Sequence, residues 1–232
     1  MKVTYLEHSG FAAEYKEYVL IFDWYRGSLP EFDQQKKIYV FASHSHYDHF
    51  NKKIFGWSEQ YPDVRYILSA DIAGKEQSEE QSERTVYVTA NKKYDFDGIK
   101  VQTLHSTDEG VAFIVYMEDK VIYHAGDLNW WHWEEETESY NEQMRQDYQR
   151  EIDKLKDIVI DIAFPLDPRQ ENQYAWGMDY FMKHTHTKYV FPMHMWGDYE
   201  VYDRLMENPE AEPYKERVIE VKEPGQVFEV NV

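Results

Sequence analysis

Cysteine is absent from all 232 residues. Its absence excludes disulfides and thiolate metal ligands without fixing the compartment. Basic residues are scarce, 25 Lys and Arg against 44 Asp and Glu for a net charge of −19, so the chain lacks the positive track that phosphate backbones or anionic membranes require. Long apolar runs are missing as well: no stretch approaches the roughly eighteen residues that cross a bilayer. Met1-Lys2-Val3-Thr4-Tyr5 leads directly into strand-like sequence with no apolar signal region. Together these absences predict a cytoplasmic protein that takes a small-molecule partner, neither nucleic acid nor membrane. They leave the oligomeric state open. There is no low-complexity linker and no repeat, and the length suits one α/β domain over 1–232.

Short apolar strands and amphipathic helices fill that length. Lys2 to Glu7 and Tyr18 to Phe22 read as paired strands, separated by a turn at His8-Ser9-Gly10, and Ile38 to Ala42 follows. Val64 to Leu68, Thr85 to Val88, Ile99 to Leu104, Ala112 to Met117 and the run from Val121 continue the pattern, with a solvated helix face in the acidic stretch Asp71 to Glu83. Ser139-Tyr140-Asn141-Glu142 has the form of a capping box and opens a helix over 140–156. A buried strand over Ile158 to Phe164, a helix capped by Asn172, a strand over Lys188 to Phe191 and a short helix over Asp198 to Met206 come next. Glu216 to Val221 and Val227 to Val230 read as closing strands or edges.

One stretch carries chemistry. Ser43-His44-Ser45-His46-Tyr47-Asp48-His49 leaves the end of the strand Ile38 to Ala42, which is where open α/β sheets bind ligands. His44 and His46, two residues apart on an extended chain, point the same way and can grip one ion, while Asp48 and His49 face a second. Imidazole and carboxylate donors suit zinc, iron or manganese. His105, Asp127 in Ala125-Gly126-Asp127, and His194 in Pro192-Met193-His194 stand at other strand ends. Gly126 lets the backbone come close to something beside Asp127.

This order of motifs resembles the metallo-β-lactamase fold superfamily of metal-dependent hydrolases. The resemblance spans Lys2 to about Met195. It implies an αββα sandwich, two mixed β-sheets face to face with helices outside. It makes His44, His46 and His105 ligands of one divalent ion, Asp48, His49 and His194 ligands of a second, Asp127 the bridging carboxylate, and Asp23 a support behind the histidine loop. Leu6-Glu7-His8-Ser9-Gly10-Phe11 is most similar to the opening of the compact branch that contains ascorbate phosphate lactonase-like proteins. The implied activity is hydrolysis of a small ester, lactone or phosphodiester, with two ions, zinc first and manganese or iron as alternatives, lowering the pKa of a bridging water toward about 7. Asp48 would orient the resulting hydroxide and carry a proton. The alternative is a member of the same fold that binds metal for sensing or uses iron for redox chemistry.

The chain departs from the superfamily pattern after His105, where Ser106-Thr107-Asp108-Glu109-Gly110 replaces the Thr-Pro-Gly of many members. Only 38 residues follow His194, too few for the helical domain of glyoxalase II-like members. His46 stands where flavodiiron-like oxidoreductases carry Glu. Candidate substrate contacts are His8 in its turn, Arg169 as a clamp for an anionic group, and Trp131, Trp133 and Trp196 as walls of the cleft. Packing competes with binding as the role of the tryptophans. His124 reads as structural, and His184 and His186 as helix-end residues.

Overall fold

A computed structural model of the chain describes residues 1–75, 78–165 and 172–232. Among the described residues thirteen strands form two mixed sheets. The first contains β1 (Lys2–Glu7), β2 (Gly10–Tyr15), β3 (Tyr18–Phe22), β4 (Lys37–Ala42), β5 (Val64–Ser69), β6 (Thr85–Val88) and the C-terminal β13 (Val227–Glu229), in the order β13-β1-β2-β3-β4-β5-β6. The second contains β7 (Lys93–Phe96), β8 (Ile99–His105), β9 (Val111–Met117), β10 (Lys120–His124), β11 (Val159–Phe164) and β12 (His186–Val190), ordered β12-β11-β10-β9-β8-β7. Helices α1 (Glu79–Glu83), α2 (Glu138–Ile152), α3 (Trp176–His184) and α4 (Glu200–Glu207) complete the α/β architecture. Among the described residues no helix is long and apolar enough to cross a membrane.

The sandwich follows from two-residue alternation in strands that are apolar on both sides. In β3, Tyr18, Leu20 and Phe22 join the large core between the sheets, whereas Val19 and Ile21 join a separate cluster with Ile54 and Phe55 of the 3-10 segment Lys52–Glu59. Aromatic rings close the space between the sheets: Phe11 stacks on Phe164 at 4.3 Å, Phe41 meets Phe113 at 5.1 Å, and Phe22 lies flat on His124 at 4.9 Å. On the other side of the second sheet Tyr123 stacks on Phe181 of α3. Burying each such ring contributes roughly 1.5–3 kcal/mol.

Strand direction positions the site. β3, β4, β5 and β6 run parallel, β1 runs the same way through the antiparallel β2, and β10, β11 and β12 are likewise parallel. His8 therefore follows the end of β1, Asp23 that of β3, the histidine loop that of β4, Asp127 that of β10, and His194 that of β12. Carboxyl ends of parallel strands thus deliver every one of these side chains to one rim.

Several elements differ from expectation. The two first strands are not neighbours, because Gly10–Tyr15 forms β2 between them after a two-residue connection at His8-Ser9. Its two alanines weaken the strand signal. The short, charged β7 was not foreseen either. The helix α2 is capped by Thr137, whose hydroxyl accepts from the Tyr140 amide, two residues before the expected Ser139. α3 begins at Trp176 rather than beside Asn172, and among the described residues Glu216 to Val221 makes only the single bridge Val190 to Val218.

Candidate metal centre

Two groups of ligand atoms converge at the rim. His44, His46 and Asp127 form one; His8, Asp48, His49 and His194 form the other. Within each group the candidate atoms lie within 4.8 Å of one another. Asp127 faces both: its Oδ2 is 3.4 Å from His44 Nε2, and its Oδ1 is 3.2 Å from His49 Nε2 and 3.6 Å from His194 Nε2. His44 Nε2 and His46 Nδ1 stand 3.0 Å apart.

The backbone explains why these atoms face inward. Gly126 and Gly110 both adopt left-handed conformations against Ser43: a Cβ on Gly126 would meet Ser43 Cβ at 2.6 Å, and one on Gly110 would meet the Ser43 carbonyl at 1.9 Å. The expected close approach beside Asp127 is therefore onto the start of the histidine loop. Asp23 organises the same residue, accepting from the Ser43 amide at 2.7 Å and its hydroxyl at 2.6 Å. Asp23 Oδ2 also accepts from His49 Nδ1 at 2.7 Å, which leaves His49 Nε2 bare toward Asp127. With its proton committed to Asp23, the Ser43 hydroxyl accepts from His44 Nδ1 at 2.9 Å and turns His44 Nε2 to the site. An outer carboxylate that fixes the tautomer of a ligating histidine is a recurrent feature of metal sites.

His124 is buried and structural, as expected. It donates from Nε2 to the Ser9 carbonyl at 2.8 Å and accepts the Gly126 amide on Nδ1 at 3.1 Å. Asp71 was missed by sequence reasoning, which gave its acidic run no chemistry. Its Oδ2 accepts the Ser45 amide at 2.7 Å and so braces the histidine loop from the end of β5. The available signal was its place just past a parallel strand beside β4.

Electrostatics favour positive charge at the centre. Burial opposes a proton on His49, yet Asp127, Asp23 and Asp48 outweigh it and raise the pKa to about 9. Burial likewise opposes the Asp48 carboxylate, but the His8 and His49 rings hold it at about 2. Asp127 is kept far below the usual carboxylate range against its own burial by His49, His44 and His194. At His194 burial prevails and lowers the pKa to about 3, leaving a neutral donor. His49 Nε2 and Asp127 Oδ1 are buried without hydrogen-bond partners among the described residues. Such orphaned atoms, with imidazole and carboxylate chemistry and no thiolate, fit a divalent cation.

His105 is not brought into either group. Its side chain is exposed and borders a cleft against α2 with Tyr140, Asp147, Arg150 and Lys154, while its amide donates to Glu151. The reason is the turn that follows: Gly110 and Val111 are pressed onto Ser43, so residues 106–110, rather than the strand end, come nearest the loop. Asp108 in that turn is raised by partial burial and by Asp127, and it feels His46 and His44.

The substrate candidates separate. His8 is 2% exposed and sits inside the second group rather than on a substrate surface. Trp131 is 6% exposed, donates from Nε1 to the Asp127 carbonyl at 3.0 Å and presents an edge to His194 at 6.0 Å. Trp133, stacked on Trp131, and Trp196, against His8, are 42% and 43% exposed and line the rim. Arg169 lies outside the described residues.

No family model matches the chain, and no curated protein does. Solved structures do. Igni18, a metallo hydrolase from the hyperthermophilic archaeon Ignicoccus hospitalis, is 16% identical over 99% of both chains with a TM-score of 0.66. YhfI from Bacillus subtilis, a metallo-β-lactamase fold protein, is 15% identical over 98% of both chains with a TM-score of 0.62. CmlA from Streptomyces venezuelae, a diiron β-hydroxylase, is 10% identical over 84% of this chain and 44% of its own, with a TM-score of 0.54. Aligned over 98–99% of its length with Igni18 and YhfI, and built of two mixed sheets with helices, this chain has the metallo-β-lactamase fold.

Proposed function

We propose that this protein is a metal-dependent hydrolase that holds two divalent ions and cleaves a small ester, lactone or phosphodiester. The observation that carries the proposal is Asp127, one buried carboxylate with an oxygen turned to each of two converging ligand groups. Nitrogen and oxygen donors in these numbers suit zinc first, then manganese or iron. Bound there, a pair of ions would lower the pKa of a water toward about 7 and polarise the oxygen of the scissile bond.

The chain's own residues do the rest. Asp48 lies between His8 at 3.3 Å and His49 at 3.9 Å, ionised across the neutral range. A carboxylate held near 2 is a weak base, so its part is to accept a hydrogen bond from the attacking water and aim it, more than to store its proton. Asp23 keeps His49 in one tautomer. Trp133, Trp196 and the exposed Tyr47 supply apolar surface beside the rim for the non-reacting part of a substrate.

The test is a screen of zinc- and manganese-loaded protein against lactone, phosphodiester, thioester and β-lactam compounds. Hydrolysis of at least one, abolished by chelation and by Asp127→Ala, is the expected result. Two bound ions with no turnover of any compound would overturn hydrolysis. The likeness to a diiron hydroxylase supports an alternative, iron-dependent redox chemistry. Oxygen consumption by iron-loaded protein would favour it.

A further inference from the structure

His8 is the buried titratable group that hydrolysis, as proposed above, leaves without a task. It occupies the two-residue turn between β1 and β2 in a left-handed conformation, φ 55°, which histidine adopts only when its surroundings hold it there. They do hold it: its amide donates to the Tyr5 hydroxyl at 2.8 Å, and its carbonyl accepts the amide of His194, itself left-handed at φ 68°. The clip aligns the two rings, 4.1 Å apart, and Trp196 covers the outer side at 4.2 Å. Yet among the described residues neither ring nitrogen of His8 has a hydrogen-bond partner, although the residue is 2% exposed. Nε2 approaches Asp48 Oδ2 at 3.3 Å without hydrogen-bond alignment. A buried imidazole with both nitrogens unused is unfavourable unless something takes a lone pair.

We infer that His8 is a protein ligand of the second ion, so that His8, Asp48, His49 and His194 enclose it with Asp127 at its edge. This rests on the two-ion reading above. Four donors plus a shared carboxylate saturate an ion of zinc's coordination habits, whereas His44, His46 and Asp127 leave the first ion an open position. The centre is thereby asymmetric. The second ion is held and exchanges slowly; the first is the one with room for water and substrate. The turn between the first two strands, rather than the histidine loop alone, becomes part of the metal site.

Binding of cobalt(II), followed by its visible absorption, and of zinc, in competition with a chromophoric chelator, tests this in wild type and His8→Gln. The expected result is two ions on the wild-type protein and, in His8→Gln, one of the two affinities lowered at least about tenfold with the cobalt spectrum of that site altered. His8→Gln that binds both ions with wild-type affinity and spectrum would overturn the inference while leaving the two-ion reading intact. A wild-type protein that binds one ion or none would instead sink the reading it rests on. Should His8→Gln fail to fold, imidazole-nitrogen NMR of the wild-type chain with and without zinc decides: a His8 ring nitrogen that shifts to a metal-bound position supports the inference, and one that does not move refutes it.

Discussion

The two halves of the candidate metal centre are built differently. His44 and His46 come from one loop with a single distant partner, Asp127, and His46 is exposed. The other half draws His8 and His194 from near opposite ends of the chain and sets them against Asp48 and His49, with only His194 short of full burial. Local ligands cost little chain entropy to bring together, whereas distant ones are in place only once both sheets have formed. The first half is therefore easy to read as a motif, and an ion held there should be the easier one to strip; the second is a product of the whole fold.

Asp127 is the residue through which the comparison can be broken outright. Asp127→Ala removes a donor from both halves and leaves His44 and His49 nitrogens facing a void. Elemental analysis should fall from two ions per chain to one or none, and activity by about a thousandfold, corresponding to roughly 4 kcal/mol of lost charge stabilisation. Retention of both ions would show that the halves are independent sites. Asp23→Asn sharpens the same comparison with a smaller effect. Asp23 binds His49 directly but reaches His44 only through Ser43. Affinity should drop about 10- to 100-fold at the second ion and less at the first. Equal losses at both would mean that Asp23 supports the loop as a unit.

How much of this was legible in sequence follows the same division. The histidine loop, Asp127, His194 and Asp23 stand at strand ends whose neighbours are apolar and regular, and the structure brings all of them together. His8 was read as a substrate contact in its turn rather than as a member of the ligand group, because Asp48, His49 and His194 come from other segments of the chain. His105 failed for the opposite reason. A histidine at a strand end resembled a ligand, but the packing of Gly110 on Ser43, which no local pattern encodes, moves the turn instead of the histidine toward the loop. His105→Ala should accordingly leave metal content and activity within about twofold, as exposed substitutions do. Asp108→Asn should weaken the first ion about tenfold, through the lost charge beside His44 and His46. The reverse outcome would restore His105 as a ligand and require the turn to rearrange on metal binding.

A smaller loss than at Asp127 or Asp23 is expected at the tryptophans, which the sequence could not divide between packing and binding. Trp131 belongs to the core and holds the Asp127 carbonyl, and the loop that carries it is fastened to α2 through Asn141, which exchanges hydrogen bonds with both the amide and the carbonyl of Trp133. Those bonds involve backbone, so truncating the Trp133 side chain leaves them in place. What it removes is one exposed ring stacked on Trp131 beside the second half of the centre. If substrate lies against that half, Trp133→Ala should lower kcat/KM by about threefold to tenfold, at most roughly 1.4 kcal/mol, through KM. Stability should change by no more than about 0.5 kcal/mol. Trp196→Ala makes the complementary measurement, since its ring covers His8. A rise in KM confined to Trp133→Ala would place the substrate on the Trp131 side of Asp127; a rise confined to Trp196→Ala would place it over His8 and Tyr47. No change in either would move the substrate surface to the open half, beside His46 and the 106–110 turn.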